Sequence, residues 1–280
     1  LKRKTGTAPH KPALYGVHPV VETIKAGRRA IEKIYLAREI RVGSHLADEL
    51  GRIEAPVVHV NAGALSDLVG APHHQGVAAK VGPFPYAELT EILERAVRDS
   101  SIVLLLDQIQ DPANLGAILR VGECLGAAGV VLVKDRSVHV TPAVEKAAAG
   151  ASAILPVARV TNLVRAIERL KEEAFWVYAA DARSGESCYS VDFSEKVAVV
   201  LGSEGRGLRR LVRERCDGTF RIPLRGRIAS LSVSQAATVI LAEAQRRRIT
   251  ESRGSVLPAG TSGERAAQSL MRRDEQVKKG

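Results

Sequence analysis

The sequence predicts a two-part α/β protein, with a small N-terminal α/β domain followed by a larger α/β domain on a parallel sheet. From about residue 101, near-continuous apolar runs of strand length alternate with helical segments. That is the pattern of a parallel sheet buried on both faces. Between about 13 and 82 the apolar runs are shorter and interleave with short helices. A chain of 280 residues also has room for about two cores.

The elements follow in order. Residues 1–12 hold Lys2, Arg3, Lys4 and Lys11 without apolar periodicity and read as a flexible basic arm. Val20, Val21 and Ile24 share one helix face, which Gly27 closes. Residues 33–37, 56–60 and 76–81 read as strands, completing a domain over 13–82. Gly82-Pro83-Phe84-Pro85 punctuates a link, and 83–99 is a linker with a helix whose face is Leu89, Ile92, Leu93, Ala96 and Val97. This helix is expected to bridge the domains. Residues 100–249 form the larger domain, with strands expected at 102–106, 130–133, 153–157, 176–180 and 197–201. Pro223 then demotes the run from Phe220 to Leu224 as a central strand. A helical stripe of Val233, Ala236, Ala237, Ile240, Leu241 and Ala244 ends at Arg246-Arg247-Arg248, where a helix dipole favours cations. Residues 250–280 mix Gly, Ser and both charge signs and read as a disordered tail.

Composition narrows the function. Lys and Arg number 41 against 31 Asp and Glu, a net charge of +10, which points to a polyanionic partner such as nucleic acid. Aromatic residues make up only 4%, against a reader that stacks bases on an aromatic sheet. Cys124, Cys188 and Cys216 lie too far apart for a zinc spacing or a disulfide framework, so a cytoplasmic, reducing compartment is expected. No signal peptide is legible behind Leu1, and no apolar run approaches the ~18 residues that span a membrane. His73 and His74 would point to opposite faces of a strand, so no metal site is expected.

Parallel sheets bind ligands beyond the carboxyl ends of their strands, which directs attention to the loops after Leu106, Ala180 and Leu201. After Leu106, Asp111-Pro112 signals a helix start, with Asn114 and Arg120 following. A helix start with an Arg suits phosphate, although the six-residue spacing does not by itself place the two on one face. After Leu201 comes Gly202-Ser203-Glu204-Gly205-Arg206-Gly207, whose glycines let backbone approach a ligand closely. The glycine order differs from the dinucleotide fingerprint, and Glu204 would repel a pyrophosphate, so a cationic or neutral ligand fits better. The Pro-interrupted run from Phe220 to Leu224 could offer free backbone to a flat ligand, and Ser230, Ser232 and Ser234 can cap the helix behind them. A nucleotide-dependent enzyme that does not act on RNA is disfavoured by the glycine order and the charge. A non-catalytic RNA-binding protein stays open and is distinguished by cofactor binding.

In this order the segments resemble the three motifs of the SpoU (TrmH) family of RNA ribose methyltransferases, within the SPOUT class. Asn114-Leu115-Gly116-Ala117-Ile118-Leu119-Arg120 is similar to the first, and Leu201-Gly202-Ser203-Glu204-Gly205-Arg206-Gly207-Leu208 to the second. Ile222-Pro223-Leu224 with Ser230-Leu231-Ser232-Val233-Ser234 resembles the third. Tyr15-Gly16-Val17-His18-Pro19-Val20 and His74-Gln75-Gly76-Val77 resemble the small RNA substrate-binding domain of the RlmB branch, which methylates a guanosine ribose in 23S rRNA. The resemblance spans about 13 to 248.

It implies a trefoil knot late in a catalytic domain, a homodimer, and S-adenosylmethionine held near Gly202, Ile222 and Leu231, with Gly207, Leu224 and Ala180 in the same wall. The implied reaction is methyl transfer to the 2′-hydroxyl of a guanosine in the peptidyl-transferase region of 23S rRNA; another rRNA or tRNA nucleotide is the alternative. Family proposals give proton abstraction to the Arg at position 120. A guanidinium with a pKa above about 12 is a poor base, so Arg120 is expected to position phosphate and stabilise alkoxide charge. Asn114 and Glu204 would orient Arg120 and the hydroxyl, and Ser230 and Ser232 would hold the cofactor or ribose. One departure stands out: the family's third motif usually reads Ser-Leu-Asn, and here its third position is Ser232.

Overall fold

A computed structural model describes residues 13–254 apart from Ala229, with side chains as far as Thr250. The basic arm at 1–12 and the tail beyond 254 lie outside the described residues.

The first sheet is small and mixed. It contains β1 (Leu14–Tyr15), β2 (Ile31–Ala37), β3 (Val57–Val60) and β4 (Val77–Val81) in the order β1-β4-β2-β3. The β2–β3 pair is parallel, while β4 runs antiparallel to both β1 and β2. Helices α1 (Val17–Ala26), α2 (Ser44–Leu50) and α3 (Ala62–Val69) intervene. Gly27, at φ +61, ends α1 where the sequence indicated. Asn61 caps α3 by accepting from Ala64 N at 2.7 Å. Leu14, Val20, Val21, Ile34, Leu36, Leu46, Val77 and Ala79 form the core. The strand β1 was not legible, because two residues are too few for a periodic signal.

The second sheet has six strands: β5 (Val103–Asp107), β6 (Gly129–Val133), β7 (Val157–Val160), β8 (Trp176–Ala180), β9 (Val197–Gly202) and β10 (Gly218–Phe220). All are parallel, in the order β10-β8-β9-β5-β6-β7. The helices are α4 (Leu89–Arg98), α5 (Pro112–Cys124), α6 (Pro142–Ala148), α7 (Ala151–Ile154), α8 (Leu163–Glu172), α9 (Arg210–Arg215) and α10 (Val233–Gly254). Alternate residues of each strand face opposite layers. Leu104 and Leu106 join Leu115, Ile118 and Ile240 on one side, and Val103 and Leu105 join Ile92, Ile167 and Val212 on the other.

Three expectations shift. The strand expected at 153–157 begins only at Val157. Ala153 and Ile154 belong to α7, and Leu155 N donates to Ala151 O at 2.8 Å. A short apolar run does not distinguish strand from buried helix, and here packing against the first domain selects helix. The helix α4, expected to bridge the domains, packs Ile92, Leu93 and Ala96 into the second core layer and, among the described ion pairs, meets the first domain only through Glu91, 3.8 Å from Arg28. The helix α10 runs to Gly254, past the boundary expected near 250, so Arg246, Arg247 and Arg248 do not end it; Glu243 bonds both Arg246 and Arg247 at 2.8 Å in its middle turns. The Pro-interrupted run behaves as its chemistry requires, since β10 is an edge strand that stops three residues before Pro223.

The two sheets meet where α1 lies on α6 and α7. Arg29 donates to Glu145 at 2.6 Å, with both side chains under a tenth exposed. Burial pushes the Glu145 carboxyl up to about 7, against the pull of Arg29. The two N-terminal motifs converge at this joint. Gly16 N donates to Val77 O at 3.0 Å, while Gln75 Oε1 accepts from Val17 N at 3.2 Å and from Lys146 Nζ at 2.5 Å. His74 is buried, accepting from Gly76 N at its Nδ1 and bonding Ser66 Oγ at its Nε2. No helix among the described residues is long and apolar enough to cross a membrane.

Candidate active site

Sheet order builds the site. Because β5 and β9 are neighbours, with Asp107 in register with Gly202, their following loops lie side by side. The loop after β9 folds tightly back on itself. Gly207 N donates to Ser203 O at 2.8 Å, and Gly205 and Gly207 take φ of +77 and +67. A Cβ on Gly202 would fall onto the backbone of Gly207, so only glycine fits there.

A residue that sequence reasoning missed anchors this loop. Asp107 is fully buried and accepts from Arg209 N at 2.9 Å and Arg209 Nε at 2.8 Å. The only signal was a carboxylate at the end of a run of apolar residues.

Over the strand ends lies a cavity of about 610 Å³. All six residues expected at the cofactor (Ala180, Gly202, Gly207, Ile222, Leu224 and Leu231) line it, as do Glu204, Ser230 and Ser232. Asp181, which the sequence did not single out, is also in the wall. Hydrogen bonds from Arg183 and Arg213 hold its carboxyl down at about 2, so it stays anionic. Two carboxylates against one cation, Arg221, in an otherwise largely apolar wall favour a cationic or neutral ligand over a phosphate.

A second cavity of about 260 Å³ shares Ser203, Glu204 and Val233 with the first and is lined further by Gln108, Gln110, Asp111, Asn114 and Arg206. The three motifs meet at this shared wall. Glu204 Oε1 accepts from Asn114 Nδ2 at 3.0 Å and from Val233 N at 3.3 Å. Ser234 Oγ donates to Asn114 Oδ1 at 2.9 Å and lies 3.1 Å from Ser232 Oγ. Asn114 is placed by the start of α5, where Asp111 accepts from Ala113 N and Asn114 N. Ser232 caps α10. Its Oγ accepts from Gln235 N at 3.3 Å, and Gln235 Oε1 accepts from Ser232 N at 3.0 Å, a reciprocal capping box.

Arg120 is not brought into this group. It is exposed on α5, lines neither cavity and makes no hydrogen bond or ion pair with the described residues. Six residues at about 100° each turn it well away from the side of Asn114. The helix α5 is also pinned, because a Cβ on Gly116 would collide with Ala147 of α6.

An all-parallel sheet with adjoining cavities beyond its strand ends is the arrangement in which open α/β proteins bind their ligands. The chain belongs to the SpoU rRNA methylase family, whose profile matches residues 101–242. Residues 13–87 match the profile for RNA 2′-O ribose methyltransferase substrate binding, so the protein is an RNA 2′-O ribose methyltransferase with an N-terminal substrate-binding domain. Among its relatives is the putative TrmH family tRNA/rRNA methyltransferase YacO of Bacillus subtilis, 37% identical over 83% of this chain and 94% of that one. Another is the 23S rRNA (guanosine-2′-O-)-methyltransferase RlmB of Ralstonia nicotianae, 38% identical over 88% and 97%. The crystal structure of the SpoU methyltransferase AviRb from Streptomyces viridochromogenes, in complex with AdoMet, shares the fold with a TM-score of 0.74, at 24% identity over 85% of this chain and 90% of that one.

Proposed function

We propose that this chain moves the methyl group of S-adenosylmethionine onto the ribose 2′-hydroxyl of a guanosine in the peptidyl-transferase region of 23S rRNA. The observation that carries this reading is the convergence of the three motifs on the wall that divides the two cavities, where Glu204 accepts from Asn114 and Val233 and Asn114 accepts from Ser234. The larger cavity fits the cofactor. Gly202 lets the loop fold back against Gly207 beside the cavity, Ile222, Leu224 and Leu231 offer apolar surface, and Asp181 and Glu204 suit a sulfonium. When bound, the cofactor supplies an electrophilic methyl group. Glu204 and Asn114 would orient the acceptor hydroxyl at the shared wall, towards a methyl donor held in the larger cavity. Ser230 and Ser232 hold the cofactor or ribose.

Arg120 receives the acceptor phosphate and stabilises charge as the hydroxyl gives up its proton to solvent. Since it stands outside both cavities of one chain, that role is filled from a second copy in a homodimer. The catalytic domain, at 100–249, closes with the family's trefoil knot, the domain at 13–82 engages RNA, and the enzyme works in the cytoplasm. The RlmB relative supports 23S rRNA as substrate, while YacO, named for tRNA or rRNA at nearly equal identity, favours a second reading on another nucleotide.

The test is transfer of labelled methyl from S-adenosylmethionine to an unmodified 23S rRNA transcript, with the labelled nucleotide mapped. Label on one guanosine ribose in the peptidyl-transferase region is expected. Label on tRNA or on another nucleotide favours the second reading. Arg120→Ala should abolish transfer while cofactor binding persists, and wild-type turnover in that variant overturns the role given to Arg120.

A further inference from the structure

The smaller cavity carries a feature that the reaction does not use. Gln108 follows the buried end of β5 and takes a φ of +61, a conformation that favours glycine and is strained for a residue with a Cβ. The turn itself has a structural cause: Asp107 is locked to Arg209 on one side and Ile109 is buried on the other, its carbonyl accepting from Val138 N at 2.8 Å. Glycine would make that turn without strain. The glutamine side chain returns nothing to the fold, since its amide makes no hydrogen bond with the described residues, although the residue is half-buried and lines the cavity.

Most other polar groups around the cavity are already committed. Both amide atoms of Asn114 are bonded, Glu204 accepts two hydrogen bonds, and Asp111 caps α5. Gln108, Gln110 and Arg206 keep their side-chain donors unbonded among the described residues, and of the two glutamines only Gln108 is half-buried. At about 260 Å³ the space falls below the ~300–1,000 Å³ of sites for drug-sized ligands and suits a single base.

We propose that Gln108 is a specificity-determining residue whose amide reads the Watson–Crick edge of a guanine seated in the smaller cavity, with Arg206 at the adjoining phosphate. This rests on the methyl-transfer reading above. A glutamine amide presents an acceptor beside a donor, which complements the N1–H and O6 of guanine. Asp111 and Glu204 give the cavity a negative lining, which favours an edge rich in N–H donors, and the guanine N2 amino group adds one. The strain is retained because the side chain is needed there.

The experiment compares wild type, Gln108→Gly and Gln108→Ala on transcripts that carry G, A, U or C at the mapped nucleotide. Cofactor Kd and Tm are measured alongside. Wild type should favour G by on the order of tenfold or more in kcat/KM. Gln108→Gly should keep cofactor Kd and a Tm at least equal to wild type, yet lose most of that preference, mainly through KM. Gln108→Ala, which keeps the strain, should lose the preference equally and melt lower. An active Gln108→Gly enzyme with the wild-type preference overturns this inference alone, as does a mapped nucleotide other than guanosine. Wild-type protein that binds cofactor and labels no RNA overturns the methyl-transfer reading and this inference with it.

Discussion

The two cavities share Ser203, Glu204 and Val233 but are built from different materials. The larger is formed by strand ends, glycine backbone and apolar side chains. The smaller is formed by amides, acids and an arginine. Backbone and apolar surface hold a ligand by shape, and their geometry depends on how the chain folds around them. Committed amides and carboxylates orient reacting groups, and their geometry depends on a few hydrogen bonds. Defects in the two cavities should therefore have different signatures.

The largest effect is expected from Gly202→Ala. The new Cβ meets the Gly207 backbone, which cannot yield without opening the loop, so cofactor binding should weaken by at least on the order of 100-fold. Calorimetry on the intact protein checks this, and near-native affinity would show that the loop is not the cradle. Asn114→Ala attacks the other cavity. Loss of a hydrogen bond to a carboxylate, worth about 2 kcal/mol, should lower kcat roughly 30-fold while cofactor Kd stays unchanged. Equal losses in both constants would erase the distinction between the cavities.

A third variant spares both. The folded-state pKa of Glu145, about 7, lies above its ordinary value of 4.5. Its contribution to stability is therefore fully present below about 4.5 and is lost as pH rises towards about 7. Melting curves from pH 5 to 8 should show wild-type Tm falling over that window, and Glu145→Gln should flatten the fall while leaving kcat intact. The smallest effect is expected from Ser232→Asn, which installs the residue usual in the family. Asn caps helices as well as Ser does, so stability should change by under about 0.5 kcal/mol and kcat by no more than about threefold. A larger gain in kcat would mean that Ser232 had detuned the larger cavity, which it lines.

Much of the architecture was legible from local pattern. The runs at 130–133 and 197–201 are strands because strands covered on both faces need apolar residues at every position. The run at 153–157 misled for the complementary reason: β7 is an edge strand carrying Arg159, so its pattern is weak, while Ala153 and Ile154 at the end of α7 extend the apolar run before it. The loop glycines announced close backbone approach, but nothing announced that Arg209 would return to a buried Asp107.

The sequence by itself determined which segments are buried, where the glycine-rich loop and the helix starts fall, and the family to which their order belongs. Tertiary structure alone decided which of those segments touch. Asn114 and Glu204 are 90 positions apart, and they bond only because β9 lies beside β5 and brings the two following loops together. Arg120, only six residues from Asn114, is carried away from the same group by the turn of one helix. Periodicity records the face a residue presents, whereas the order of strands in a sheet is set by how whole layers bury their apolar surface, and short stretches of chain do not encode it.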